Sequence, residues 1–366
     1  MSPTRQLRHI AGSVLIVGLE GTMLSALESA WLASLQPAGV ILFRRNLEAG
    51  AQTLAFFQQV ASIIAEPFFR CVDMEGGTVD RLRDLIGPSP APAVVASTGS
   101  AKIFREHGAI IGACVRALGF NVNLAPVLDL ALTPALPVLG TRVVSADPAA
   151  VVAYAGAFLD GLAAAGILGC GKHFPGLGGG SLDSHATMPK IDRSWEQMWS
   201  EDIAPYRALQ ARMAMIMVNH AAYPKIEKPA CPASLSKFWM RHVLRERLRY
   251  RGLIFSDDME MGGVLDHASS ADAAVAAIEG GMDLIEVCHR ADRVLTSHEA
   301  LLRQAERSSA FRARLTTASR RVAAARHRLL RSSLPRTFTP RTLQALQARQ
   351  LRLRDRISRI HGAAQS

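Results

Sequence analysis

Along this chain, short apolar runs alternate with longer stretches in which apolar and polar residues mix at helical spacing. The runs fall at 13–19, 39–43, 68–74, 121–130, 168–174, 213–220, 252–258 and 283–289, and their N-terminal halves are mostly apolar. Between them lie stretches rich in Ala, Leu, Gln, Glu and Arg, such as 51–65, 145–165, 195–213 and 235–248. Eight strands alternating with helices predict an α/β fold of the (β/α)8 TIM-barrel type. A length of 366 residues on its own suggests two domains, but barrels of this size are commonly single ones.

The polar residues sit where that fold places a site, at the C-terminal ends of the strands. These ends carry Asp73, Asp129, Lys172 with His173, His220, Asp257 with Asp258, and His289. Any one of them reads as an ordinary strand-to-loop residue, whereas the whole set converging on one rim does not. After Lys172 and His173 comes Phe-Pro-Gly-Leu-Gly-Gly-Gly-Ser-Leu-Asp-Ser-His, ending at Asp183 and His185. A carboxylate two residues before an imidazole can accept its N–H, fix its tautomer and raise its basicity, poising it for proton exchange near neutral pH. The glycines let such a loop fold tightly and move. Asp-x-His pairs are common, so this one gains weight only from the rest of the rim.

The available chemistry is narrow. The cysteines at 71, 114, 170, 231 and 288 are scattered, and neither they nor the histidines have metal-ligand spacing, so no metal ion or cofactor is expected. Gly-x-Ser-x-Gly and Walker-type patterns are missing. Carboxylates, cations and one Asp–His pair remain. A carboxylate nucleophile with a separate proton donor is the equipment of a retaining glycosidase. Lys and Arg on the same rim can hold sugar hydroxyls or a charged substituent.

Four blocks make the resemblance specific. Val72-Asp73-Met74-Glu75-Gly76-Gly77-Thr78-Val79-Asp80-Arg81 is the first. Asn123-Leu124-Ala125-Pro126-Val127-Leu128-Asp129, followed by Gly140-Thr141-Arg142 and Asp147-Pro148, is the second. The Lys172-His173-Phe174-Pro175-Gly176 loop is the third, and Ile254-Phe255-Ser256-Asp257-Asp258-Met259-Glu260-Met261 the fourth. Together, from about residue 10 to 330, they resemble a glycoside hydrolase family 3 β-N-acetylhexosaminidase of the single-domain bacterial type. The resemblance implies that Asp257 is the nucleophile, His185 the acid/base and Asp183 its partner. It implies that Asp73, Arg81, Arg142, Lys172 and His173 hold the non-reducing sugar. Two departures stand out. Leu177 replaces a histidine usual in the family's loop, with Gly179 at the next polar position, and Met74 replaces the usual glutamine beside Asp73.

Other residues on the rim have plainer readings. Asp258 is expected to accept backbone N–H groups, and Glu75 to pair with an arginine beneath the site. His220 and His289 read as rim packing or substrate contacts, with packing the favoured reading. Met259 and Met261 read as core or pocket wall, and Gly76-Gly77 as a tight turn.

Charge changes the picture only at the C-terminus. Residues 301–366 hold sixteen arginines and no lysine against Glu306 and Asp355, a balance of +14 within a chain total of +11, so residues 1–300 stand at −3. Residues 310–331 read as the closing barrel helix, 334–340 as a linker and 341–360 as a further helix. Its apolar positions are Leu343, Leu346, Leu351, Leu353, Ile357 and Ile360. The division expected is a catalytic barrel over 1–333 and a basic helical extension over 334–366. An apolar stripe favours packing on the barrel over binding a polyanion. Without stacking aromatics or a binding motif, no nucleic-acid partner is expected.

Arg5 and Arg8 precede an apolar run at 10–19 that superficially resembles a signal peptide. Glu20 interrupts it, no small-x-small cleavage site follows, and the run supplies the first strand. No segment suits a membrane span, and scattered, odd-numbered cysteines fit a reducing cytoplasm. The expected function is exo-hydrolysis of terminal β-linked N-acetylglucosamine with retention, on muropeptide fragments of cell-wall turnover, by a monomer whose partner is a small carbohydrate. A neutral imidazole also leaves inorganic phosphate an approach as acceptor, with hydrolysis the expected outcome. The alternatives are a family β-glucosidase, which usually takes its acid from a Glu on a second domain, and a catalytically silent sugar-binding protein. The Asp183–His185 loop disfavours the first, and Asp257 with His185 disfavours the second.

Overall fold

The computed structural model of the protein describes residues 3–64, 67–180, 188–330, 334–335 and 337–363. Eight strands close into a barrel: β1 Leu15–Gly18, β2 Gly39–Ile41, β3 Phe69–Val72, β4 Val122–Asn123, β5 Leu168–Phe174, β6 Met215–Val218, β7 Leu253–Asp258 and β8 Leu284–Val287. Neighbours in the barrel are neighbours in the chain, every pair is parallel, and β8 returns to pair with β1. The expected (β/α)8 barrel is the fold observed. All eight expected runs contain a strand, and β5 has the expected bounds. The largest difference is at 121–130, which contracts to two residues. Pro126 brings no N–H to a ladder, so beyond Leu124 the chain runs on irregularly, meeting β5 through a bridge at Val127 and Lys172.

The two faces of each strand serve different cores. In β1, Ile16 joins the cluster inside the barrel, while Leu15 and Val17 join the larger cluster between barrel and helices. Leu284 in β8 and Cys288 just past its end point inward, with Ile285 and Val287 outward. This alternation of period two on a doubly covered sheet explains why the runs read as apolar throughout.

Helices α1 Pro3–Gly12, α2 Ala26–Leu35, α3 Gly50–Ala61, α4 Ala101–Ala117, α5 Pro148–Ala164, α6 Ser270–Gly280 and α7 Ala291–Arg307 surround the barrel. Ser25 and Glu28 form a reciprocal cap on α2, and Asp147 caps α5 through the Ala149 N–H. Helices α4 and α5 approach closely because Gly108 and Gly161 meet across them. A Cβ at Gly108 would stand 2.1 Å from the Phe158 carbonyl oxygen. The stretches expected as plain helices at 195–213 and 235–248 instead contain π-helical turns, at Met198–Asp202 and Phe238–Arg247.

Helix α8, Ser309–Leu329, places Val322 and Ala325 in the interior cluster beside Phe69 and Leu253, the first residues of their strands. It therefore closes the N-terminal end of the barrel and leaves the opposite end open. Helix α9, Pro340–Ala363, lies against α4. It buries Leu346, Leu353 and Ile357, and Gln350 donates to Ser89 Oγ at 2.8 Å. Arg356 pairs with Glu106 of α4. Leu351 is an exception to the expected stripe, being 57% exposed. Among the described residues no helix is long and apolar enough to cross a membrane.

Leu353 is fully buried where α9 meets the barrel, so Leu353→Ala is expected to cost about 2–5 kcal/mol, read by denaturant unfolding. Deleting 335–366 is expected to lower stability and solubility while the folded fraction keeps its activity. Steeply salt-dependent binding of DNA or anionic vesicles, lost on that deletion, would show instead that the arginines serve a polyanion.

Candidate active site

At the open end of the barrel the loops enclose a cavity of about 390 Å³. Ile41, Met217 and Cys288 form its apolar floor, continuous with the interior core. Asp73, Arg81, Arg142, Lys172, His173 and Asp257 all line it. Six of the eight expected site residues thus meet in one pocket, although they come from widely separated parts of the chain. The other two, Asp183 and His185, fall within 181–187, outside the described residues.

The densest part of the site is a buried ion-pair network. Lys172, at the end of β5, places Nζ 2.6 Å from Asp73 Oδ1 and 2.7 Å from Glu75 Oε1. Arg142 grips the same Glu75 with Nε at 2.8 Å from Oε2 and Nη2 at 2.9 Å from Oε1. Glu75 sits in a short hairpin, Met74–Gly76 against Val79–Asp80, that turns through Gly76 and Gly77, both at positive φ. Burial alone would push the Glu75 carboxyl up, but the charges and hydrogen bonds of Arg142 and Lys172 hold it well below the usual carboxylate range. Burial would equally lower Lys172, and Asp73 and Glu75 reverse this, keeping it charged. Glu75 therefore pairs with an arginine as expected, and with Lys172 as well. Arg81 stands at the mouth, Nη2 3.8 Å from Asp73 Oδ2, with its guanidinium over the Phe43 ring.

His173 follows Lys172 through a cis peptide. Its Nδ1 donates to Asp129 Oδ2 at 2.6 Å, and its Nε2 lies 3.4 Å from Arg142 Nη2. Asp129 also accepts the Leu177 N–H at 2.7 Å, so one buried carboxylate orients the ring and the start of the glycine loop together. Asn219 holds the His173 carbonyl and the Tyr223 hydroxyl holds the Gly176 carbonyl, at 2.9 and 2.8 Å. Leu177, where the resemblance led one to expect histidine, lines the pocket with 8% of its surface exposed. Met74 is fully buried, its backbone bonded to Asn123.

Asp257 is the penultimate residue of β7 and opens onto the pocket. Burial tends to raise its carboxyl, but His173, His220, the Asp258 N–H and Lys172 outweigh it and keep it below the ordinary value, ionised. Asp258 behaves as expected of a structural neighbour, accepting from the Glu260 and Cys288 N–H groups at 3.1 and 3.2 Å. His220 is fully buried between Ser234 Oγ and the Asp258 carbonyl, and burial lowers its pKa. It is a packing residue, with Nε2 donating to that carbonyl. His289 is not packed away. Half its side chain is exposed on the rim, 3.3 Å from Asp258 Oδ2 and against Phe43 and Arg45. Met259 is core and Met261 is pocket wall.

The sequence reading did not assign site roles to Asp129, Asn219, Tyr223 or Glu286. Asp129 and Asn219 lie at strand ends and carried only that weak signal. Glu286 offered a clearer one, a lone acid inside an apolar strand, Leu-Ile-Glu-Val. Among the described residues no group of three or more His, Cys, Asp or Glu is arranged to hold a metal ion.

The chain matches the glycosyl hydrolase family 3 N-terminal domain over residues 5–325. It is 34% identical to a β-hexosaminidase of Idiomarina loihiensis over 75% of this chain and 83% of that protein. It is 36% identical to one of Methylococcus capsulatus over 77% and 85%. Among solved structures, a family 3 β-N-acetylglucosaminidase from Paenibacillus sp. FPU-7 superposes with a TM-score of 0.85 at 29% identity, covering 94% of this chain and 68% of that one. Native NagZ from Neisseria gonorrhoeae gives 0.75 at 27%, covering 93% and 97%.

Removing the Glu75 charge leaves Lys172 with Asp73 and takes from the largely buried Arg142 the carboxylate it grips, so Glu75→Gln is expected to cost about 3–5 kcal/mol at neutral pH. The folded Glu75 value lies below the unfolded value of 4.5. Its contribution is therefore complete above that pH and is lost as pH falls toward the folded value. Unfolding of wild type and variant compared from pH 7 to pH 3 should show the gap narrowing below about pH 4.5.

Proposed function

This chain belongs to glycosyl hydrolase family 3, and we propose that it is a retaining exo-β-N-acetylhexosaminidase removing terminal β-linked N-acetylglucosamine from muropeptide fragments. The observation that carries the reading is the pocket, where an ionised Asp257 faces a sugar-sized cavity ringed by Lys172, Arg142, His173, Asp73 and Arg81. A cavity of about 390 Å³ is sized for a single sugar unit rather than an extended chain, which favours exo action. The names of the relatives support the N-acetylhexosaminide preference.

In this mechanism the Asp257 carboxylate attacks the anomeric carbon as the bond to the leaving oxygen breaks. His185, assigned by its motif, gives that oxygen a proton, with Asp183 stabilising the imidazolium. The resulting glycosyl-Asp257 ester is then attacked by water, which loses its proton to His185. Two displacements at one carbon retain configuration. Lys172 and Asp73 offer a donor and an acceptor to neighbouring sugar hydroxyls, and Arg142, held by Glu75, offers a fixed fork. Their mutual ion pairs set these groups in place before substrate arrives, so little ordering is needed on binding. The cell-wall fragment is the substrate and a cytoplasmic site of action goes with it.

The deciding assay compares aryl β-N-acetylglucosaminide with aryl β-glucoside. Selective release from the first supports the reading, selective release from the second indicates a β-glucosidase, and turnover of neither indicates a sugar-binding protein. Asp257→Ala should abolish nearly all activity, with azide restoring part of it as the inverted glycosyl azide. Greater damage from Asp258→Ala would reverse the assignment within the pair. His185→Ala should slow substrates with poor leaving groups far more than activated aryl glycosides, because only the former need the proton in the first step. Equal losses on both would give that loop a structural role.

A further inference from the structure

We propose that Glu286 is a specificity-determining residue of this pocket, its carboxyl meeting a hydroxyl or amide group of the bound sugar from the barrel floor. The proposal rests on the glycosidase reading above and extends it to a residue outside the four motif blocks. Glu286 lies in the middle of β8, on the inward face between Leu284 and Cys288, and it lines the cavity. Only 2% of it is exposed, and its Oε1 has no hydrogen-bond partner. Its backbone is fully engaged, the N–H with Ser256 Oγ and the carbonyl with the Met259 N–H. Among the described residues the side chain thus adds a polar group to a floor otherwise formed by Ile41, Met217 and Cys288.

The surroundings decide its protonation. From β7 it faces Asp257 and Asp258, from beyond β3 Asp73, and from β5 Lys172. Cys71, Cys170 and Cys288 are the neighbouring thiols, and the paired positions of β1 bring only Leu15, Ile16 and Val17. Lys172 is already engaged by Asp73 and Glu75. A carboxylate here would be buried, unpaired and beside three others, so burial first and those charges second push its pKa well above the ordinary value. The neutral acid has an O–H donor and acceptor capacity. A buried polar group left unpartnered is costly, and a sugar hydroxyl or amide reaching the floor would satisfy it. Sites that reserve a buried hydrogen bond for a substrate group discriminate strongly against analogues lacking it.

The test uses the full chain with Glu286→Gln and Glu286→Leu. On whichever aryl glycoside the wild type cleaves, E286L should lose about 10- to 100-fold in kcat/KM, chiefly through KM. E286Q keeps a neutral donor and acceptor and should lose less than about fivefold. In wild type, ionisation of Glu286 adds to the alkaline loss of kcat/KM that follows from losing the His185 proton, and E286Q should keep only the His185 part. A second readout needs no turnover. A carboxyl whose folded pKa is raised loses stability as pH rises above its unfolded value of 4.5. Both variants should therefore exceed wild type in Tm by more at pH 8 than at pH 5. An E286L enzyme matching wild type across the pH range overturns the proposal, as does a Tm difference that is flat with pH. Damage in E286Q equal to that in E286L also overturns it. Cleavage of the glucoside alone would sink the N-acetylhexosaminidase reading while leaving both Glu286 readouts intact.

Discussion

The pocket depends on the sharing of Glu75 between Lys172 and Arg142, with Asp73 completing the network. Each of these charges would be expensive to bury alone. Together they tie the hairpin after β3, the loop after β4 and the end of β5 into one rigid wall. Because Glu75 is spent on neutralising the two cations, Asp73 keeps an oxygen toward the cavity, and Arg142 keeps its position without support from a ligand. A sugar is uncharged over most of its surface and is recognised by directional hydrogen bonds. A preset lattice of donors and acceptors suits that task better than flexible side chains that must first be ordered.

A second constraint acts through Asp129. One carboxylate oxygen takes the His173 ring and the other takes the Leu177 N–H. The root of the glycine loop is therefore fixed to the same point that orients a pocket residue, with Asn219 and Tyr223 holding two of its carbonyls. The glycines that follow let the chain pass close to its neighbours, since a Cβ at Gly178 would stand 2.8 Å from the Leu130 carbonyl oxygen. At this root Leu177 contributes its backbone to Asp129 and its apolar side chain to the pocket wall. The polar contact a histidine would make there is replaced by surface.

The charge of the chain follows the same separation of tasks. The pocket end neutralises Lys172 and Arg142 with Asp73 and Glu75, while fourteen of the sixteen arginines after residue 300 lie on helices that carry buried leucines, isoleucine and valine on their packed sides. Helix α8 closes the barrel end away from the pocket and α9 covers α4. The basic pI of about 10.0 thus comes from helices whose apolar sides do structural work.

The repeat of eight strands, the end of the barrel that gathers the polar residues and the residue types present there are all legible along the chain. Those properties are periodic or local: an apolar run and its last polar residue are adjacent in the chain. The sequence also exposed the motif blocks, so Asp257, Lys172, His173, Asp73, Arg81 and Arg142 were legible as one set. How their charges are shared is set by the folded barrel. Lys172 and Glu75 are 97 positions apart, and no spacing rule says that a lysine and an arginine will divide one carboxylate. The same holds for Asp129 with His173 and for Asn219 with the loop root, whose partners are set by barrel closure. Glu286 shows the difference most sharply. The sequence displays an acid in an apolar strand, but whether it faces helices, solvent or substrate depends on the strand's register. Register is fixed by pairing with β7 and β1, because a shift of one residue turns every side chain to the opposite face.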